Sequence, residues 1–420
     1  MKKTKHLLKM TVKVYKERGL INLIRRVFLY LKEFVLALFI RPGDVLYISG
    51  CPGGSRFYRC HNQAEELKLY GIKSKIISQD NLNLLRVVKK FKVFIFQRVI
   101  YNEHIKDTIS VIKKQKKAII FETDDLVFDP RYISFMHYYN FFGDEEKSWY
   151  RNGIGREILE DAYAENCIVS TDFLKEALRE KYPDKNIFIS YNKLNKNQIK
   201  YAQQALSKKE KIKPNDGKIR IGYFSGSQSH DNDFETISNV LLEILKENKD
   251  AVLMTVGQLD INGKFGEVRS QIEKFDFIPL KKLPELMLKA DIDIVPLEIN
   301  NPFCQAKSAL KFFEAGLLEI PTVAAATDSF EKVIKNGENG FLAEDENDWR
   351  EYITKLIKEK ELRIKIGRKA KEDSLRKHTA KKIHSDTKKL AEFIKSELKN
   401  LSDENSDKQK NKRKINKKQR

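Results

Sequence analysis

Cysteine is scarce and unpatterned in this sequence. Cys51, Cys60, Cys167 and Cys304 form no CxxC pair and have no histidine at metal-ligand spacing, so neither a disulfide framework nor a zinc site is expected, and a reducing cytoplasm suits the chain. A membrane-spanning run is also missing. The longest apolar stretch near the start, Val27 to Ile40, is broken by Lys32 and Glu33 and falls short of the roughly 20 residues that a bilayer requires. The segment before it is long and basic and no small-residue cleavage site follows, so no secretory signal is expected. Negative charge is in deficit: 59 Asp plus Glu face 80 Lys plus Arg, a formal charge of +21. That balance biases partners toward anions such as nucleic acid, phospholipid headgroups or phosphorylated small molecules. RRM, KH and helix-turn-helix patterns are absent, as is any basic patch with interleaved aromatics, so no nucleic-acid partner is expected.

The 420 residues, 41% hydrophobic and 33% charged, suit two or three globular domains with densely ionic surfaces. Residues 1–41 form a basic amphipathic segment, with Leu23, Phe28 and Leu31 at helical spacing among Lys13, Lys16, Arg25 and Arg26. It reads either as a helix packed on its own domain or as an in-plane helix on an anionic membrane surface. Residues 42–195 then carry short apolar runs between helical patterns: Val45 to Ser49, Lys73 to Ile77, Val93 to Gln97, Ala118 to Glu122, Cys167 to Thr171 and Ile187 to Tyr191. Runs of about five residues without alternation suit strands buried on both faces, hence a doubly wound parallel α/β domain.

A lysine-rich linker, 196–217, precedes a second domain over 218–378 with the same texture: Ile221 to Phe224, Val252 to Val256, Phe275 to Pro279, Asp293 to Leu297, Pro321 to Ala325 and Gly340 to Ala343. A C-terminal helix over 379–400 and a disordered basic tail over 401–420 complete the expected order.

Open parallel sheets bind ligands beyond the carboxyl ends of their strands, which directs attention to four loops. In the second domain, Ser225-Gly226-Ser227 lets backbone N–H groups approach an anion, and His230 is placed to donate to it or to a sugar hydroxyl. A plain βα turn with Asp231 or Asp233 as N-cap explains the aspartates but leaves His230 unexplained. A helix starting near Gln305 puts Lys307, Lys311 and Glu314 on one face. Two lysines near a helix N-terminus repel each other unless an anion such as a diphosphate sits there. Glu314 then accepts hydrogen bonds from ribose or sugar hydroxyls, the alternative being a solvated Lys311–Glu314 ion pair. In the first domain, Gly53 and Gly54 permit close approach of a substrate and Arg59 is suited to phosphate. Asp124 and Asp125 end a buried strand with adjacent like charges, which points to an acceptor, a metal or local caps.

The run from Phe313-Glu314-Ala315-Gly316 through Pro321 to Gly337 and Gly340 resembles the signature of glycosyl transferases group 1, family 4-like enzymes of GT-B fold. The resemblance implies two Rossmann-like domains facing across a cleft, a nucleotide-diphosphate sugar as donor, no cofactor, no metal, and retention of configuration. It assigns Glu314 to the nucleotide ribose. The family's first Glu falls at position 306, where this chain has Ala306. Ala306-Lys307-Ser308, the element Ser225 to Phe234 and Tyr58-Arg59 resemble a polysaccharide and O-antigen subgroup. The family's diphosphate-binding Arg and Lys have no match, so Lys307 and Lys311 stand in by charge and position.

The expected donor set is therefore Glu314, Lys307, Lys311 and His230 with Ser225, Gly226, Ser227, Ser308 and Gly257, and the acceptor side is Gly53, Gly54, Arg59, Asp124 and Asp125. The expected function is glycosyl transfer in cell-surface polysaccharide or glycoconjugate synthesis, using a glycan or lipid-linked acceptor. The expected place is the cytoplasm, peripheral on the inner face of the membrane. A catalytically silent GT-B subunit partnering another transferase is the alternative, suggested by Ala306.

Overall fold

Strands form where the apolar runs lie, and their burial follows their place in two sheets. The structure is a computed structural model. It describes residues 24, 27–225, 231–257, 259, 261 and 263–418, with no side chains described for 404–418. Residues 1–23 of the basic N-terminal segment, and the expected donor residues Gly226, Ser227 and His230, lie outside the described residues.

The first sheet contains β1 (Val45–Ser49), β2 (Ser74–Ser78), β3 (Val93–Gln97), β4 (Ala118–Thr123), β5 (Asn166–Val169) and β6 (Asn186–Ile189), all parallel in the order β2-β1-β3-β4-β5-β6. The second contains β7 (Ile219–Phe224), β8 (Ala251–Val256), β9 (Ile272–Phe275), β10 (Ile292–Val295), β11 (Thr322–Ala325) and β12 (Phe341–Ala343), parallel in the order β12-β11-β10-β7-β8-β9. Both are doubly wound, with helices on either face. β1 and β3 are buried at every residue, as continuous apolar strands between two helix layers must be. The edge strands tolerate polar residues. That is why β9 lies at Ile272–Phe275 rather than at the expected Phe275 to Pro279: Ile-Glu-Lys-Phe suits an edge, while Pro279 has no N–H to give a ladder.

Strand order reverses between β1 and β3 in the first sheet and between β7 and β10 in the second. These are the switch points where loops diverge and open a crevice. The helices that matter to the site are α1 (27–38), α2 (Asn62–Lys68, entered through a π-turn at Phe57–His61), α3 (Asp172–Lys181), α4 (Lys196–Leu206), α5 (Leu310–Leu317), α6 (Lys360–Lys377) and α7 (Ser385–Lys418).

α5 lies close on α6: a Cβ at Gly367 would meet the Glu319 carbonyl at 2.1 Å, so only glycine fits there. α7 returns to the first domain, where Leu390, Ala391 and Ile394 share a buried cluster with Val45, Tyr47, Val93 and Ile120. Lys193, enclosed between Glu66 at 3.1 Å and Asp386 at 2.6 Å, fastens that return. α7 continues to Lys418, where residues 401–420 were expected to be disordered. No glycine or proline interrupts the chain from Ser385 onward, and a helix already nucleated by packing propagates through such residues at little cost.

Candidate functional site

The second domain's crevice is built from the ends of β7 and β10. Ser225, buried at the end of β7, receives close support from Gly257, whose φ of 101° and 2.1 Å approach to the Ser225 carbonyl leave no room for a Cβ. After β10 the chain makes a short helical turn, Pro302–Gln305, capped by the Asn301 side chain. It then breaks at 306–309 and restarts as α5 at Leu310. The expected single helix from Gln305 is therefore two pieces. The cause is packing in opposite directions: Phe303 and Ala306 are buried in the first domain's cluster, while Cys304, Ala309, Phe312 and Phe313 are buried in the second's. A straight helix would not serve both. The break is held by Asn192 Nδ2, which donates to Ser308 Oγ at 2.7 Å.

This break separates the two lysines. Lys307 reaches across to the first domain and pairs with Asp125 at 3.3 Å. Lys311 stays in the second, with Nζ 5.3 Å from the Tyr223 ring centroid and no ion pair among the described residues. Burial holds the Lys311 ammonium below its usual range, although Asp293, Asp233 and Glu314 oppose that shift. Asp293, on β10, is itself pushed up to about 7 by burial and accepts from the Thr322 hydroxyl at 3.0 Å. Glu314 faces the cleft one turn after Lys311. Its Oε1 accepts from Tyr58 Oη at 2.8 Å and from Gln198 Nε2 at 2.9 Å. Burial raises its pKa, partly opposed by those two donors. The alternative reading, a solvated Lys311–Glu314 ion pair, is not formed among the described residues.

Ala306 is fully enclosed, and its carbonyl lies 3.4 Å from Thr171 Oγ1 on the first domain. A carboxylate there would be buried without a partner, which costs several kcal/mol (roughly) in an apolar cluster. The alanine at this position is thus an interdomain packing residue.

On the first domain, Asp124 accepts from Ser55 Oγ at 2.7 Å and pairs with Arg98 at 3.2 Å, which lowers its pKa against the effect of burial. Asp125 caps the turn Leu126–Phe128 and meets both Lys307 and, at 3.8 Å, Arg98. Gly53, with φ of 84°, and Gly54 stand open above this pair, with at most the Tyr58 ring near Gly54. Arg59 corrects the sequence reading. Its guanidinium is 2% exposed and enclosed by Glu122 at 2.5 Å, the Ser190 carbonyl at 2.8 Å and Asn192 Oδ1 at 2.7 Å. An arginine so placed joins β4, the Tyr58 turn and the chain after β6, and it offers no fork to a phosphate.

Arg98, Gln198 and Asp293 were missed in the sequence. Arg98 directly follows β3 at the first sheet's switch point, so the strand-end rule that singled out Gly53 and Asp124 would also have found it.

The comparisons agree with this geometry. Residues 207–373, most of the second domain, match the family model of glycosyl transferases group 1. A search of curated protein sequences finds no match. Among solved structures, the chain is similar to Anabaena Alr3699/HepE in complex with UDP, at 13% identity and a TM-score of 0.55 over 84% of this chain and 100% of that one. It is also similar to sucrose-phosphate synthase from Thermosynechococcus elongatus, at 13% identity and a TM-score of 0.58 over 84% and 98%. A glycosyltransferase from Rickettsia africae aligns at 16% identity and a TM-score of 0.58 over 86% and 99%. At these identities the likeness establishes the fold, the two-domain GT-B architecture.

Proposed function

We propose that the protein is a glycosyltransferase that binds a nucleotide-diphosphate sugar against the second domain and moves the sugar to an acceptor hydroxyl held by the first. The observation that carries this reading is the convergence of Lys311, Glu314 and the Ser225–Gly257 turn at the β7/β10 switch point, inside the segment that matches the family. Negative charge grows on the departing nucleoside diphosphate. Lys311, which has no ion pair among the described residues, and Lys307, released from Asp125, are positioned to meet it. Glu314 exchanges its Tyr58 or Gln198 donor for a ribose hydroxyl. Asp124 and Asp125, with Arg98 setting their charge, orient the acceptor. The family resemblance supports retention of configuration and a metal-independent reaction without cofactor. The similar structures of Anabaena Alr3699/HepE in complex with UDP and with UDP-glucose support a uridine donor.

We further propose a role in cell-surface polysaccharide or glycoconjugate synthesis at the cytoplasmic face of a membrane. α1 supports this. Its Glu33 pairs with Arg56 at 2.9 Å and accepts from the Ser78 amide at 2.7 Å, and Ala37 is buried, while Phe28 (65% exposed), Leu31, Val35 and Phe39 (76% exposed) line the opposite side. Residues 1–26 add nine Lys and Arg against one Glu, so an anionic surface suits the segment. Among the described residues no helix is long and apolar enough to cross a membrane. Sedimentation with phosphatidylglycerol vesicles tests this part: binding by the full chain and not by residues 42–420 supports it, and equal binding refutes it.

Thermal stabilisation across a panel of nucleotide sugars tests the donor. At a ligand concentration about a hundred times its dissociation constant, stability rises by roughly 2.7 kcal/mol. No stabilisation by any member refutes the reading. The enclosure of Ala306 favours a second reading, a binding subunit without turnover. Stabilisation without release of nucleoside diphosphate would select it.

A further inference from the structure

Residues 132–150 hold eight Phe, Tyr and Trp side chains, and none of the residues in the 3-10 turns Pro130–Phe135 and His137–Phe141 or the helix Asp144–Asn152 is buried. Aromatic side chains at this density normally form a core. Here Tyr132 and Met136 alone reach the first domain's buried cluster, and Tyr138, Tyr139, Phe141, Phe142 and Tyr150 pack on one another. Phe142 stacks on Tyr150 at 5.0 Å and 17°. Tyr139 stands edge-on to both, at 6.3 Å and 6.4 Å. Tyr138 lies 5.4 Å from both Phe141 and Phe142. Phe141 is 79% exposed. Tyr138, Tyr139, Phe142 and Tyr150 are half-buried beside it, and partly exposed rings ordered by mutual packing mark an interaction surface.

The position of this ledge defines what it meets. It follows directly on the Asp124–Asp125 strand end, and Tyr150 lies within electrostatic reach of Arg98, Asp125 and Cys51 on the cleft floor. At its other end, Asn301 Nδ2 donates to the Phe135 carbonyl at 3.1 Å, and His137 meets Glu298 at 3.0 Å, both partners belonging to the second domain's loop after β10. The ledge therefore links the segment after the Asp124–Asp125 strand end to the second domain's loop after β10.

We infer that this ledge is the docking surface for the glycan portion of the acceptor, stacking successive sugar rings on Tyr138 and Phe141 outside the reacting position. The inference rests on the glycosyltransferase reading above. Pyranose rings present C–H faces that sit on the negative face of an aromatic ring, while their hydroxyls need donors and acceptors at the edge. The ledge supplies both, through the Tyr138 hydroxyl and exposed Asn140. Its place favours a glycan over the other apolar occupant. The ledge begins shortly after Asp125 and is tied through Asn301 and Glu298 to the second domain's loop, so whatever docks there lies along the acceptor side of the cleft.

The test uses the full-length protein on a printed array of neutral and amino-sugar oligosaccharides, followed by titration of the best-retained one. Phe141→Ala and Tyr138→Ala are each expected to weaken glycan binding about threefold to tenfold and the double variant more than tenfold, since one aromatic contact carries roughly that factor. Tm and stabilisation by UDP-glucose should stay unchanged. Glycan binding by the double variant equal to that of the unmodified chain overturns the inference, as does retention of no arrayed glycan. Loss of phosphatidylglycerol vesicle binding in the double variant would reassign the ledge to the membrane. If no nucleotide sugar stabilises the protein while glycans bind and are lost in the double variant, the transferase reading fails and the ledge stands.

Discussion

Lys311→Met separates a functional lysine from a structural one. The ammonium lies over Tyr223 with no ion pair among the described residues, and burial already disfavours its charge. Methionine keeps most of the apolar stem. A cation–π contact of about 0.5–1 kcal/mol is lost, offset by relief of the desolvation that lowers the lysine's pKa. Asp293 loses a positive neighbour, but with its carboxyl already at about 7 it takes up a proton near neutral pH at small cost. Glu314 keeps Tyr58 and Gln198, so the net change in stability should stay below about 1 kcal/mol, a Tm shift of roughly 2–4 °C.

Donor binding should respond otherwise. A hydrogen bond from a charged group to a diphosphate contributes about 1.5–3 kcal/mol, which corresponds to a loss of roughly 10- to 150-fold in affinity. Isothermal titration of UDP-glucose with a parallel melting curve reads both quantities. Unchanged affinity, or a Tm drop above about 8 °C, would refute the reasoning and make Lys311 a core residue.

Arg59→Ala should destabilise the fold by about 3–5 kcal/mol, because it leaves Glu122 buried without its partner, whereas Arg59→Met with Glu122→Gln should recover most of that loss in urea unfolding. A soluble, fully stable Arg59→Ala with lost phosphate affinity would restore the earlier reading. Asp293→Asn should flatten part of the pH dependence of stability. Burial raises the native carboxyl to about 7 against 3.8 in the unfolded chain, so the native state holds its proton longer. The group's contribution is full below about pH 4 and is lost as pH rises to about 7, so the stability of the parent relative to the variant should fall by about 4 kcal/mol across that window. A difference that stays level would contradict the assignment. Asp124→Asn should lower acceptor turnover while leaving UDP affinity within about twofold, and a fall in UDP affinity instead would move this carboxylate to the donor side.

Strands were legible in the sequence wherever burial on both faces removes polar residues, as in β1 and β3, and least so at β9, where an edge position relaxes that demand. Glu314 and the cleft-facing aspartates were placed by the rule that ligands meet strand ends. What the sequence withheld depended on contacts between domains. The break after Gln305 arises because neighbouring residues bury in different domains, and no local periodicity encodes that. Arg59 reads as a surface cation until Glu122, Ser190 and Asn192 close around it from three distant segments. The aromatic ledge was visible as composition, but only the structure showed that its rings stay out of the core.

Release of UDP from UDP-glucose by the full-length protein, compared with the Lys311→Met variant at equal concentration, tests the central claim most directly. The account predicts measurable turnover by the parent, increased by an oligosaccharide bound on the ledge and reduced at least tenfold in the variant under subsaturating donor. Equal rates in the two proteins, or none from any nucleotide sugar that stabilises the parent, would contradict it.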